Sequence, residues 1–200
     1  MKVAKSNLIA LLFFSVLSFS LSAQNFQVKS SEMTIAGTST LHDWVSNVTQ
    51  VNGAADFTFA DGALTSISNL SLTIPVKGIV STKGSTMDSK TYGALEAETH
   101  PNITYKLTKV TSILPSATGV TIIATGDLTI AGTTKPIDLL VTGTYLGNNG
   151  IRFEGSKAFN MTDFGVDPPT AMLGTLHTGD KVTIKFKVSL ETSNASAYRN

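Results

Sequence analysis

In the stretch DLTIAGTTKPIDLLVTGTY, Asp127 to Tyr145, apolar and polar side chains change places at nearly every step. Leu128 and Ile130 alternate with Asp127 and Thr129. After Gly132 and the polar Thr133, Thr134 and Lys135, the residues Ile137, Leu139, Val141, Gly143 and Tyr145 fall on every second position. Successive side chains of a strand point to opposite faces, whereas a helix brings together residues three and four apart. The stretch therefore predicts two half-buried antiparallel strands joined by a tight turn at Gly132. Lys135 and Pro136 begin the return strand.

The rest of the chain follows the same period. Extended stretches are predicted at Phe26 to Thr38, Val45 to Phe59 and Ala63 to Lys77, then around Ile103 to Leu107, Val120 to Ile130, Ile137 to Tyr145, Ile151 to Phe159 and Val182 to Val188. Ala60-Asp61-Gly62 and Gly147-Asn148-Asn149-Gly150 carry turn residues, Gly for positive φ and Asp or Asn for local capping. Pro75 cannot donate to a ladder and marks an edge, a bulge or a strand end. Only Ser85 to Glu98 has helical character, with Met87, Thr91 and Leu95 on one face and His100-Pro101 as the stop. Thr162 to Asp180, with paired prolines, reads as a long loop.

This is an all-β chain of eight antiparallel strands, with one short helix between the third and fourth. Such strands close into a barrel or pack as a sandwich. In up-and-down order eight strands make a barrel just wide enough for one small ligand. Gly37, Gly53, Gly126, Gly143 and Gly155 share the apolar faces. They serve either strong strand bending or a lining held back to leave room.

Residues 1–23 are set apart from the fold. Lys2 and Lys5 precede the apolar run Leu8 to Leu21, and Ser22-Ala23 offers a small-residue cleavage site. The run is too short for a spanning helix, so a cleaved signal peptide is expected, with an uncleaved anchor as the alternative. Removing Lys2 and Lys5 takes the 15 basic residues to 13 against 14 acidic ones. A nearly neutral domain has no field to steer it toward nucleic acid. The chain has no cysteine, which excludes disulfides, thiolate metal sites, a cysteine nucleophile and a lipidated N-terminal Cys. A periplasmic or secreted domain over residues 24–192, with a polar tail at 193–200, is the expected product.

Candidate chemistry is sparse. His42, His100 and His177 show no HxH or HExxH spacing. His42-Asp43 is the one tempting pair, and no Gly-x-Ser-x-Gly elbow is present. His100, beside Pro101 at the predicted helix end, reads as a surface or capping residue. Nothing assembles a base, an orienter and an anion hole, so the chain is read as a non-enzyme without cofactor or metal.

Four blocks carry a family resemblance: GTSTLHDW (Gly37 to Trp44), MDSKTYGALEAETHPNITYKL (Met87 to Leu107), GDLTIAGTTKPIDLLV (Gly126 to Val141) and FNMTDFGVDPP (Phe159 to Pro169) followed by GDKVTIKF. In this order they resemble the YceI-like family of exported, lipocalin-like barrels associated with polyisoprenoids. The third block is the most specific. Two departures stand out: Met87 precedes Asp88 where the family often has Arg, and Glu96-Ala97-Glu98 replaces an aromatic pair.

The resemblance implies an eight-stranded lipocalin-like barrel holding a polyisoprenoid or prenylated quinone, as carrier or store, with transient membrane contact and a monomeric or dimeric state. The barrel lining it implies is Phe57, Phe59, Leu72, Ile74, Leu95, Ile103, Tyr105, Leu128, Leu139, Phe153, Phe164 and Phe186. The plainer reading of these residues is a filled core. A ligand-free barrel for stress response or protein interaction is the alternative function. The segment Asp163 to Leu173, with Phe164, Met172 and Leu173, is then a contact surface; in a lipid binder it is a lid.

Overall fold

The structure is a computed structural model, which describes residues 23–147, 150–171 and 175–192. The expected signal peptide, the polar tail, Asn148-Asn149 and Met172-Leu173 lie outside the described residues, apart from Ala23. Eleven strands are described: β1 (Gln24–Ser39), β2 (Trp44–Val48), β3 (Asn52–Ala60), β4 (Ala63–Pro75), β5 (Ile79–Ser81), β6 (Asn102–Ser116), β7 (Gly119–Ile130), β8 (Thr133–Tyr145), β9 (Gly150–Asn160), β10 (Thr170–Ala171) and β11 (Leu176–Thr192). One α-helix, α1 (Ser85–Ala94), joins β5 to β6.

The strands close into an eight-stranded antiparallel barrel. β1 pairs with β11, which completes the ring β1, β3, β4, β6, β7, β8, β9, β11. The expected strand from Val45 to Phe59 is broken in two, and the one from Ala63 ends at Pro75 and is followed by a short further strand. β1 pairs with β3 near its start and with β2 near its end, so β2 and β3 occupy successive parts of one stave. β4 and β5 do the same on the next stave. In chain order the helix therefore lies between β5 and β6, not between the third and fourth strands. The break after β4 comes at Pro75, where a 3-10 turn, Val76–Gly78, replaces the ladder that proline cannot extend.

The hairpin from Asp127 to Tyr145 is formed as expected. β7 and β8 are paired from Gly119↔Thr144 to Ile130↔Thr133. The turn is two residues, Ala131 (φ 45°) and Gly132 (φ 76°), and Asp61 (φ 49°) and Gly62 (φ 77°) repeat it between β3 and β4. Positive φ at both positions is the turn whose twist matches the strands it joins. Gly132 is also covered by the His100 ring.

Bulges explain where the period fails. In β1 the register shifts between Val28 and Ser30, so inward positions change from Phe26 and Val28 to Met33 and Ile35. In β6 two shifts, after Leu107 and after Val110, place Leu107, Val110 and Ile113 against the core at a spacing of three. Each extra residue flips the strand's faces. A bulge between β3 and β4 holds Asn69 at φ 51°. There Asp56 accepts bonds from Asn69 Nδ2 (2.8 Å) and Asn25 Nδ2 (3.0 Å), which hold its pKa below the ordinary value.

The two ends of the barrel differ. The end holding the β3–β4, β6–β7 and β8–β9 hairpins is packed shut. Phe26, Phe57, Phe59, Tyr145 and Phe153 meet there, with Phe26 and Phe57 ring centroids 4.6 Å apart. Tyr145 Oη accepts the Leu64 N–H at 2.9 Å, satisfying a backbone donor beside the β3–β4 register shift. The other end is covered by α1 and by the segment after β9.

Candidate ligand cavity

Between the two ends lies a cavity of about 250 Å3, far above the ~10–15 Å3 that admits one water. Its walls are aliphatic and aromatic. Leu72 and Ile74 come from β4, Ile103 and Tyr105 from β6, Leu128 from β7, Leu139 from β8, Phe153 from β9 and Phe186 from β11. Leu95 reaches it from beyond the helix and Phe164 from the segment after β9. Ten of the residues expected to line the barrel are thus brought to one space. Phe57 and Phe59 are not. Both belong to the aromatic cluster at the shut end, and Phe57 is fully buried there.

The inward glycines keep the space open. A Cβ on Gly155 would stand 2.6 Å from Phe186 Cζ, and one on Gly143 3.1 Å from Phe153 Cε1. Gly37 lies under Trp44 and Gly126 under Tyr105 in the same way. Each ring lies against the wall over a strand with no side chain of its own, the pairing that compensates glycine in sheets. The Phe186, Trp44 and Tyr105 rings thus lie along the wall, while the Phe153 ring also reaches Phe57 at the shut end, their centroids 5.7 Å apart. The indole of Trp44 is fixed by donating to the Thr38 carbonyl at 3.0 Å.

The Tyr105 hydroxyl is pushed up to about 12, first by burial and then by the charge of Asp127. It stays neutral in an apolar wall. Among the described residues the cavity's polar contributions are few: Ser46, Ser81, Thr91 and Thr178, besides Tyr105 and the Trp44 indole, and two lysines, Lys90 and Lys157, with no carboxylate.

The mouth is built differently from the walls. Met87, Lys90, Thr91 and Ala94 of α1 face the cavity, yet no residue of the helix is fully buried. Met87, Thr91 and Leu95, the expected helix face, do share the cavity side. Polar bonds hold the helix in place. Asp88 Oδ1 accepts the Ser81 N–H at 2.6 Å, and the Tyr92 hydroxyl donates to the Lys77 carbonyl at 3.0 Å. Asp88 is thus a tether to β5, while Met87 beside it is a lining residue. Glu96 and Glu98 are exposed, and Ala97 between them is buried.

After β9 a 3-10 turn, Met161–Phe164, opens with a capping box between Asn160 and Asp163. Phe164 is buried and packs edge-on against Phe159 at 5.0 Å. Asp180 accepts from Thr162 twice, from Oγ1 at 2.7 Å and N at 2.9 Å, and these bonds hold its carboxyl below the ordinary range. The expected long loop, Thr162 to Asp180, is therefore shorter in the structure. β11 already begins at Leu176, recruited by backbone pairing with β1 and β10 rather than by side-chain alternation.

The three histidines are held separately. His42 sits in a turn organised by the Ser39 hydroxyl, His177 is tied to Thr40 through its backbone, and His100 lies over Gly132. Among the described residues no group of three or more His, Asp or Glu is placed to hold a metal ion. Among them, too, no helix is long and apolar enough to cross a membrane.

Sequence reasoning passed over Met33, Ile35, Trp44 and Lys157 as lining residues. Lys157 had a signal: it shares parity with Ile151, Phe153, Gly155 and Phe159 on β9. Met33 and Ile35 sit beyond the β1 bulge, which hides their continuity with Phe26.

Fold and cavity together define a closed, lipocalin-like eight-stranded barrel with an apolar interior. More narrowly, the chain belongs to the YceI-like domain family, whose model matches residues 18–190. Solved structures share the architecture. A domain from Saccharophagus degradans, described as polyisoprenoid binding and implicated in plant cell wall breakdown, superposes with a TM-score of 0.65 at 13% identity, covering 86% of this chain and 99% of that one. Burkholderia cenocepacia BcnA gives 0.62 at 20% identity, with 80% and 95% covered. The Campylobacter jejuni YCEI protein gives 0.55 at 17% identity, with 94% and 97% covered. Among curated proteins none matches the chain by sequence.

Proposed function

We propose that this protein binds a long apolar molecule of isoprenoid type, a polyisoprenoid or a prenylated quinone, inside the barrel and serves as its carrier or store after export to the periplasm. The observation that carries this reading is the apolar cavity whose lining rings lie back over glycines. An alkene chain offers no hydrogen bonds, so its affinity comes from apolar area removed from water, ~25 cal/mol per Å2 before ordering costs. A hydrocarbon wall suits a long apolar chain, and the isoprenoid class is taken from the family resemblance. Leu72, Ile74, Leu95, Ile103, Tyr105, Leu128, Leu139, Phe153, Phe164 and Phe186 are the proposed contacts. Phe57 and Phe59 form the floor on which the chain's end rests. The polyisoprenoid-binding description of the Saccharophagus degradans domain supports the ligand class. The apolar run before residue 23 supports export. The proposed role is binding without turnover.

The test is a lipid extract of the protein purified from its native host, read by mass spectrometry. A prenylated species at near-stoichiometric yield is expected. An extract free of prenyl lipid, from protein that also takes up none when it is added, leaves the ligand-free interaction barrel as the better reading.

A further inference from the structure

The ladder between β8 and β9 is short. It runs from Tyr145↔Ile151 to Val141↔Gly155 and stops, although β8 starts at Thr133 and β9 ends at Asn160. Both strands remain paired on their other sides to those ends, β8 with β7 and β9 with β11. Past the ladder the two strands part. The Asp138 and Leu140 carbonyls face β9, so Pro136, of the same parity, presents its missing N–H to the same edge. Toward the mouth the gap ends at the turn after β9, where a Cβ on Gly165 would stand 3.5 Å from Thr133 Oγ1. The gap is therefore a window in the side wall, bounded by the ladder on one side and by the turn at Gly165 on the other.

Lys157 lies across the window. Its stem lines the cavity, and its ammonium donates to the Asp138 carbonyl at 2.8 Å. Among the described residues this is the one side-chain hydrogen bond that spans the gap. The Asp138 carboxylate is turned away and accepts from Thr125 Oγ1 on β7 at 2.6 Å. On the inner side stand Ile137, Leu139 and Phe159. On the outer side Leu140 is 64% exposed, and Ile123, its partner on β7, is 42% exposed. Pro136 and Ala158 are exposed beside the gap. Apolar surface thus runs from the outer face to the cavity lining, interrupted by one ammonium. A break in the ladder accounts for Pro136. It does not account for an apolar margin on both faces of the wall.

The mouth is harder to open. Moving α1 breaks the Asp88–Ser81 and Tyr92–Lys77 bonds, and moving the segment after β9 unseats the buried Phe164 ring. Opening the window takes one bond to a neutral carbonyl and a rotamer change of one long side chain, and it breaks no ladder pair. Building on the proposed prenyl binding, we infer that this window, and not the mouth, is the route by which an apolar chain enters and leaves the barrel, with Lys157 as its bolt. A gate lies on the path and not in the bound state. It sets the rates of entry and exit together and leaves the affinity alone.

The chain has no cysteine, so introduced pairs can be bridged after folding with a short bis-maleimide. Asp138→Cys with Ala158→Cys spans the window, where the ladder's register, continued, sets the two opposite each other. Lys77→Cys with Tyr92→Cys pins α1 to the 3-10 turn after β4. Uptake of geranylgeraniol is followed by stopped-flow fluorescence of Trp44, the single tryptophan, which lines the cavity. Bridging the window should slow association and dissociation alike, each at least ~10-fold, and keep Kd within ~2-fold. Bridging α1 should change neither rate by more than ~2-fold. Lys157→Ala should speed both by about 2- to 10-fold, the factor that the net worth of one hydrogen bond allows. Asp138→Cys with Ser156→Cys replaces the first pair if that one does not fold. Unchanged rates across a bridged window overturn the inference, and so does a slowing confined to the α1 bridge or a window bridge that weakens Kd without slowing association. N-phenyl-1-naphthylamine, an uncharged apolar fluorophore, is run in parallel. If it enters through the window and geranylgeraniol does not bind, the prenyl reading fails and the window stands. If neither enters the unbridged protein, both fail.

Discussion

The two ends of this barrel are made of different materials. At the shut end, aromatic rings from β1, β3, β8 and β9 pack on one another, and Phe57, Leu64, Val120, Ile151 and Leu190 are fully buried. At the mouth, α1 buries no residue completely and is held by single polar bonds, Asp88 to Ser81 and Tyr92 to Lys77. Apolar packing is dense and cooperative, while α1 rests on a part-buried bond to a carboxylate and an exposed bond to a carbonyl. The contrast marks α1 as the weaker part of the cover, since Phe164, which covers the same end from the segment after β9, is itself buried.

The largest effect is expected where the comparison is sharpest. Phe57→Ala removes the fully buried ring that touches Phe26, Phe59 and Phe153. It should cost about 3–5 kcal/mol in chemical denaturation. A loss below ~1 kcal/mol would show that the shut end is not the stability core.

Gly155→Val tests the cavity between the ends. The new side chain must push the Phe186 ring off the wall and into the open space. A cost of about 1–3 kcal/mol is expected, together with lost prenyl uptake in the lipid-binding assay. Full uptake in a folded Gly155→Val protein would mean that the ring's position over glycine does not define the space.

The smallest effect concerns pH. The folded Tyr105 hydroxyl is raised to about 12 by burial and then by Asp127. The unfolded chain gives up that proton near pH 10, two units earlier. Between these values the unfolded state binds fewer protons, so Tyr105 makes stability fall as pH rises from about 10 to about 12. Melting curves across this range should show a steeper decline for the unaltered protein than for Tyr105→Phe. Parallel declines would place Tyr105 in a wetter environment than the cavity wall offers.

How much of this was legible beforehand depended on local regularity. β7 and β8 are paired without a register shift, so the alternation of Leu128, Ile130, Ile137 and Leu139 showed both the strands and their inward face. β6 has two bulges, and beyond Leu107 its inward residues lost the period that would have revealed them. β11 gained its first residues from backbone pairing, which leaves no trace in side-chain polarity. Phe57 and Phe59 show the converse. Their parity was right, but parity gives the face of a strand and not the height along the barrel at which a side chain meets its neighbours.

The sequence by itself determined the all-β class, the turn residues and, through four ordered blocks, the family. These follow from side-chain chemistry repeating at short range. Only the tertiary structure decided which inward residues close the barrel and which line its cavity, that rings lie back over glycines from neighbouring strands, and that the wall splits beside Lys157. Those facts depend on registers between strands. A register is a relation between distant stretches of chain, and no single stretch contains it.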